Sequence, residues 1–353
     1  MEQHSQMAVE FVKRLAIEVD GSERLWRPES SAALQEDRKR APGAYVVAAS
    51  VVTFTDGIYG QQREDLLNSC LLAQLSANKQ HDRERATLDW YAHYRKVLLT
   101  VGWRVDEAHA AGTVASGFRS GPKSGPGAGL SSPLTPGPMS GRTSGSVSGR
   151  VSGRASGSVS GPVLARPSRQ PVVGGRLPRL PAGPAEPVVL PVRPGQPTMG
   201  ERALTFKPVV PQQPRFTAET TVLALLQRKV QAKALLTTEA ALDKLRRLDD
   251  RDRRAVIFET SSHKGGSGSF QIISASAVSD TAIRMTIAAF FFATDDNVTR
   301  LLSFNFGKSN TTMYQACDTL TLDSADYAPV RDQVIEQLGD QALTYIAEID
   351  LGS

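Results

Sequence analysis

Residues 281–293 read Thr-Ala-Ile-Arg-Met-Thr-Ile-Ala-Ala-Phe-Phe-Phe-Ala, and this stretch decides the fold class. Three consecutive phenylalanines, Phe290, Phe291 and Phe292, put bulk on both sides of an extended chain. A strand of that kind needs cover on both faces, so it belongs in the middle of a sheet. Working outward, the apolar period around it is two. Further strands are expected at Ala255–Thr260, Phe270–Ala277, Thr299–Phe306 and Thr312–Leu322. In the stretch before Gly307, Leu302, Phe304 and Phe306 would face one way and Ser303 and Asn305 the other. The separators His263–Ser269, Ser279-Asp280, Asp295–Asn297 and Gly307–Asn310 are short and turn-like. Short separators imply an antiparallel meander.

Elsewhere the period is 3.6. Met7, Phe11 and Leu15 mark a helix over 7–19, before a polar stretch around 22–43. Leu67, Leu71 and Leu75 mark a second helix near 61–78, with Cys70 widening its apolar face. Trp90, Tyr94 and Leu98 mark a third near 86–99, followed by a short strand at Trp103-Arg104-Val105. Ala44–Thr55 is rich in valine and reads as one buried strand before the Asp56-Gly57 turn. Thr217 is placed to cap a helix running to about 232. Further helices are expected near 239–249, 325–338 and 340–348. Residues 1–110 have nothing of their own to cover the apolar 44–54 segment, and residues 215–353 offer a sheet with two apolar faces. The economical reading is α+β: about five C-terminal strands and one or two N-terminal ones, packed with helices in a single domain.

Between the flanks, residues 111–214 hold 18 of the 29 glycines and 18 of the 21 prolines. Residues 140–161 repeat Ser-Gly every four positions; 162–214 turns to Pro, Val and Arg. The Ser-Gly half has nothing to bury and the Pro-rich half has polyproline II character, so the composition predicts a disordered insert, coil-like and then stiffer. This window carries 12 basic and two acidic residues, a net charge of +10, and leaves the remainder of the chain at −5. The overall charge of +5 is therefore not a property of the folded part. That weighs against a nucleic-acid-binding fold and assigns polyanion contact to the insert, with Arg142, Arg150 and Arg154 in the repeats as candidates.

Two cysteines, Cys70 and Cys317, are too few for a disulfide framework and show no metal-ligand spacing. Each is a candidate for fatty acylation, against the plainer reading of a structural thiol. A Cys317–His263 nucleophile–base pair would need the fold to bring the two together. His263–Ser269 is glycine-rich but joins two expected strands, so a hairpin loop is favoured over a phosphate cradle. Asp249, Asp250 and Asp252, and Asp295-Asp296, lack the spacing of a calcium loop and read as turn and helix-end chemistry. No catalytic set, metal site or cofactor site is expected. No apolar run approaches the ~18–20 residues of a membrane span. No secretory signal is evident at the N-terminus, so a cytoplasmic location is expected, with export by a route lacking a cleaved signal left open.

The stretches Asp65–Leu75, Ala77-Asn78-Lys79, Asp82-Arg83, Trp90-Tyr91, Val101-Gly102-Trp103, Val298–Phe306 and Leu338-Gly339-Asp340 resemble a poorly characterised family of bacterial and fungal proteins. More distantly they resemble the insect-gut virulence factor group of plant-pathogenic bacteria. The resemblance implies an α/β fold without demonstrated enzymatic chemistry. It carries over no functional residue and does not account for the Ser-Gly-Arg insert. The expected function is accordingly a non-enzymatic interaction or effector role with an unknown protein or membrane partner. The alternatives are a membrane-directed, toxin-like protein using the basic tether or an acylated cysteine, and an enzyme of unrecognised type.

Overall fold

In the computed structural model, Phe290 and Phe291 turn to opposite faces of a thirteen-residue strand, β8 (Ala282–Thr294). Phe290 stacks on Phe270 of β7 (Ser267–Ala277) at 5.0 Å between ring centroids. Phe291 stacks on Tyr314 of β9 (Thr311–Asp323) at 4.7 Å. β7, β8 and β9 form the antiparallel meander, each strand long enough to pair over ten or more residues. The structure describes residues 2–19, 42–58, 60–83, 87–106, 188–189, 205–209 and 216–351. All of them fall within one compact unit built from residues 1–115 and 180–353. Arg142, Arg150, Arg154 and the Ser-Gly repeats lie outside the described residues.

Strands from both flanks share the sheet. β1 (Gly43–Val47) and β2 (Ser50–Phe54) form a hairpin, and β2 lies parallel to β7. β10 (Ile346–Ile349) covers the far side of β1. On the other edge, β3 (Arg104–Val105) and β5 (Thr205–Val209) both pair with β9, and β4 (Val188–Val189) pairs with β5. β6 (His263–Lys264) turns back onto β7. The sheet is therefore mixed, an antiparallel meander joined to an antiparallel hairpin by one parallel pair.

Helices cover both faces. On one lie α1 (Glu2–Arg14), α2 (Gly60–Gln80), α3 (Thr87–Thr100) and α7 (Ser324–Leu338). Leu71, Tyr94 and Val330 meet Met285, Ile287 and Phe291 there. On the other lie α4 (Ala218–Leu226), α5 (Ala232–Arg247) and α6 (Arg253–Ser262). Val222, Leu242 and Phe258 meet Ile272, Phe290 and Phe292. Thr217 caps α4, its side chain accepting from the Thr220 amide. A short α8 (Gln341–Tyr345) leads into β10.

Several expectations are corrected. The 44–55 strand is two strands with Ala48-Ala49 as a two-residue loop. Ala48 takes a φ of +46°, a conformation that costs an alanine ~1–2 kcal/mol. Gln74 of α2 holds the loop, donating to the Val47 carbonyl and accepting from the Ala49 amide, both at 3.1 Å. Residues 255–260 are helical, because Asp252 caps α6 by accepting from the Arg254 amide and Ala255 and Phe258 bury together. Residues 299–306 form two 3-10 turns, Leu301–Ser303 and Phe306–Lys308, rather than a strand. The segment expected as a helix over 340–348 ends in β10. Finally, β5 lies inside the 111–214 window yet is part of the sheet.

Candidate functional site

The feature that most distinguishes this fold is a break in one edge strand. The chain runs antiparallel along β9 through Arg104 and Val105, opposite Thr321 and Leu320. Asp106 continues the line, its amide donating to the Thr319 carbonyl at 2.9 Å. The chain then leaves, and returns as β5 with Lys207, Pro208 and Val209 opposite Gln315, Tyr314 and Met313. Continuing that register sets Thr205 opposite Cys317. Residues 107–204 thus replace a single strand position, the one facing Asp318.

Local chemistry fixes both lips of the break. The Asp106 carboxylate, largely buried, accepts from Arg284 Nε at 2.7 Å. On the returning side, Phe206 is fully buried, with ring centroids 5.0 Å from Tyr91 and 5.3 Å from Phe291. Beneath the gap, Asp318 accepts from Arg95 Nε of α3 at 2.7 Å. Pairing in an antiparallel ladder alternates sides along a strand. Because Thr319 turns its carbonyl to the edge, Asp318 turns its main-chain groups to β8, and the Thr319 amide donates to the Asp318 carboxylate at 3.0 Å rather than to the interrupted strand. Pro208 sits at the same parity, where its missing N–H faces away from β9.

A polar cleft of about 370 Å³ lies where α2, α6 and α8 end. Arg83 crosses it, stacked 4.5 Å from the Trp90 ring and donating to the Ser261 carbonyl. Trp90 Nε1 donates to Asn78 Oδ1 at 2.8 Å, and Asn78 donates to Glu18 at 2.8 Å. His263 donates from Nε2 to the Val298 carbonyl at 2.9 Å, leaving Nδ1 to accept from Ser262 Oγ at 3.2 Å. Glu259 approaches that same Nδ1 at 3.6 Å. A Ser–His–acid relay needs the hydroxyl and the carboxylate on opposite ring nitrogens, so this trio lacks relay geometry. Burial lowers the His263 pKa and raises that of Glu259, in each case disfavouring the charged form. A second cavity, about 530 Å³ and mainly apolar, lies between α1, the end of α3 and α7. The Arg104–Asp326 ion pair at 2.8 Å stands at its edge.

The candidates from the sequence are dispersed. Cys70 is fully buried, and burial pushes its thiol up to about 12. Cys317 is partly exposed on β9, its thiol also pushed up to about 12, chiefly by burial. Cys317 pairs across to Ala288, and Ala288 to Ile272, four positions along β7 from Gly268, the partner of His263. Cys317 and His263 are therefore not brought together. The glycine-rich loop is a tight β6–β7 hairpin. The Gly265 and Gly266 carbonyls accept from the Val298 and Thr294 amides. A Cβ on Gly266 would meet the Thr294 carbonyl oxygen at 2.3 Å, so close backbone approach explains that glycine. The acidic pairs serve turns: Asp252 caps α6, Asp249 accepts from the Arg251 amide, and Asp295 accepts from Asn310. Among the described residues no group of three metal-ligating side chains converges. Nor, among them, is any helix long and apolar enough to cross a membrane.

Sequence reasoning did not find the cleft, whose residues come from separate elements, nor the edge break, which is a fact of register. Pro208, between Lys207 and Val209 in the β5 run, is a local sign of an edge strand. Comparison with known proteins found no matching protein family, curated protein or solved structure.

Proposed function

We propose that this protein acts by binding rather than by chemistry, as an interaction or effector-type protein whose basic sequence between β3 and β5, part of which returns to the sheet as β4, engages a polyanionic partner. The observation that carries this reading is the edge break. The fold anchors both lips of a 98-residue excursion at one strand position, and that excursion carries 11 basic and three acidic residues, a net charge of +8. The polar cleft supports it from the other side, since Arg83, Asn78, Glu18 and His263 hold protein groups. An effector role agrees with the resemblance to the virulence factor group.

The test is a titration of labelled heparin, as a generic polyanion, with the full chain and with a form lacking 107–204. Binding that falls steeply between 50 and 200 mM salt, and disappears with the deletion, supports the proposal. Equal binding by the deleted form, or none by the full chain, overturns it. Membrane direction is the second reading, favoured by the same charge. Co-sedimentation with vesicles containing phosphatidylserine, against pure phosphatidylcholine, separates it from recognition of a soluble polyanion.

A further inference from the structure

We infer that the two flanks can be shared between two copies of this chain, residues 1–106 of one completing the sheet of the other. The argument is independent of what the intervening segment binds. In the sheet, β1 and β2 of the N-terminal flank sit between β10 and β7 of the C-terminal flank. β3 lies against β9 on the far side of the meander. The N-terminal flank is thus gripped in two places by the C-terminal one.

The grip is of the kind found inside a domain. β2 pairs with β7 over five positions and β1 with β10 over four. Asp65, 2% exposed, accepts two bonds from Arg331, both at 2.7 Å. Tyr91 donates to the Phe270 carbonyl at 3.1 Å, and Gln337 to the Leu15 carbonyl at 2.8 Å. None of these contacts depends on which chain supplies which flank.

The direct covalent link between the flanks is the 98-residue segment. A tether of that length holds its ends at an effective concentration on the order of millimolar or below. Closed monomer and exchanged dimer then contain the same contacts, and protein concentration during folding decides between them. Exchange requires opening the shared sheet, so a dimer once formed is slow to revert. Such a dimer would carry two basic segments on one assembly.

Trans-complementation with full-length chains tests this. Trp103→Asp and Phe270→Asp each put a carboxylate into a core position that is 1% exposed, on the N-terminal and C-terminal flank respectively. Each variant alone should show no cooperative thermal transition. Refolded together, they should regain one, in a dimeric species built from the intact flank of each chain. As a second measurement, unmutated protein should refold to monomer at about 1 µM and increasingly to dimer at several hundred micromolar. No transition in the mixed variants, with monomer at every refolding concentration, overturns the inference.

Discussion

Asp106 and Thr205 are ninety-nine positions apart in sequence and two positions apart along β9. At ~3.4 Å per residue the two ends of the intervening segment are separated by about 7 Å along the strand. They read as one strand, β3 and β5, interrupted opposite Asp318. The interruption leaves the layers of the fold untouched. The surrounding contacts, Asp106 with Arg284 and Phe206 with Tyr91, keep each end in register.

Phe206 tests whether β5 belongs to the fold or merely rests on it. The ring is fully buried against Tyr91 and Phe291. Phe206→Ala should cost about 3–4 kcal/mol in chemical denaturation. A loss below about 1 kcal/mol would mean that β5 is only loosely attached. It follows that removing 111–214 should destabilise the protein far more than removing 107–204, because only the former takes β5 away and leaves β9 uncovered.

The glycine-rich hairpin makes a graded prediction. Gly268→Ala places a methyl group 2.4 Å from the Ser262 carbonyl oxygen, and Gly266→Ala one at 2.3 Å from that of Thr294. Each should lower stability by more than ~2 kcal/mol through forced backbone shifts. Gly265→Ala meets nothing within 4 Å and carries only the strain of its φ of +64°, about 1 kcal/mol. Equal tolerance at all three positions in thermal melts would contradict the close-packed hairpin.

Acid should destabilise the fold through two histidines. Burial lowers the His93 pKa, with His81 and Lys96 adding repulsion, and burial lowers that of His263. Below the usual histidine value of about 6.5 the unfolded chain takes up protons that the folded chain resists. Stability is therefore full above that pH and declines as pH falls through it toward the lowered values. Glu219 and Glu259, raised by burial, act in the opposite sense nearer the carboxylate range. Melting temperature should thus fall as pH drops from about 7 through the usual histidine value. His93→Gln and His263→Gln should each show a shallower slope, whatever their absolute stability. An unchanged slope in both would refute the assignment.

The thiols should differ in access although burial raises both. Cys70 is fully buried and Cys317 partly exposed. Titration of the native protein with a disulfide reagent at pH 8 should label Cys317 slowly and Cys70 only on global unfolding. Rapid labelling of Cys70 would show that its helix, α2, opens in the native state.

The parts of the fold legible in the sequence are those where side-chain chemistry and local period agree. The 270–277, 281–293 and 312–322 strands and the leucine-rich α2 are of this kind. The β1–β2 hairpin was hidden because Ala48-Ala49 contains none of the usual turn residues, and the loop is held by Gln74 from another element. Val256-Ile257-Phe258 resembles a strand by composition, and the Asp252 cap with burial on the α6 face overrides it. β5 was masked by its proline-rich surroundings, and β10 by its length of four residues directly after a helix. The edge break could not be seen at all, since it exists only in the register of two distant segments on a third strand.

The most direct measurement joins Asp106 to Thr205 through two or three glycines in place of 107–204 and follows thermal unfolding by calorimetry. The account predicts a single cooperative transition within a few degrees of the full chain, because the join spans one strand position on β9. Two separate transitions, or a chain that no longer folds, would contradict the claim that the two flanks build one sheet around a removable excursion.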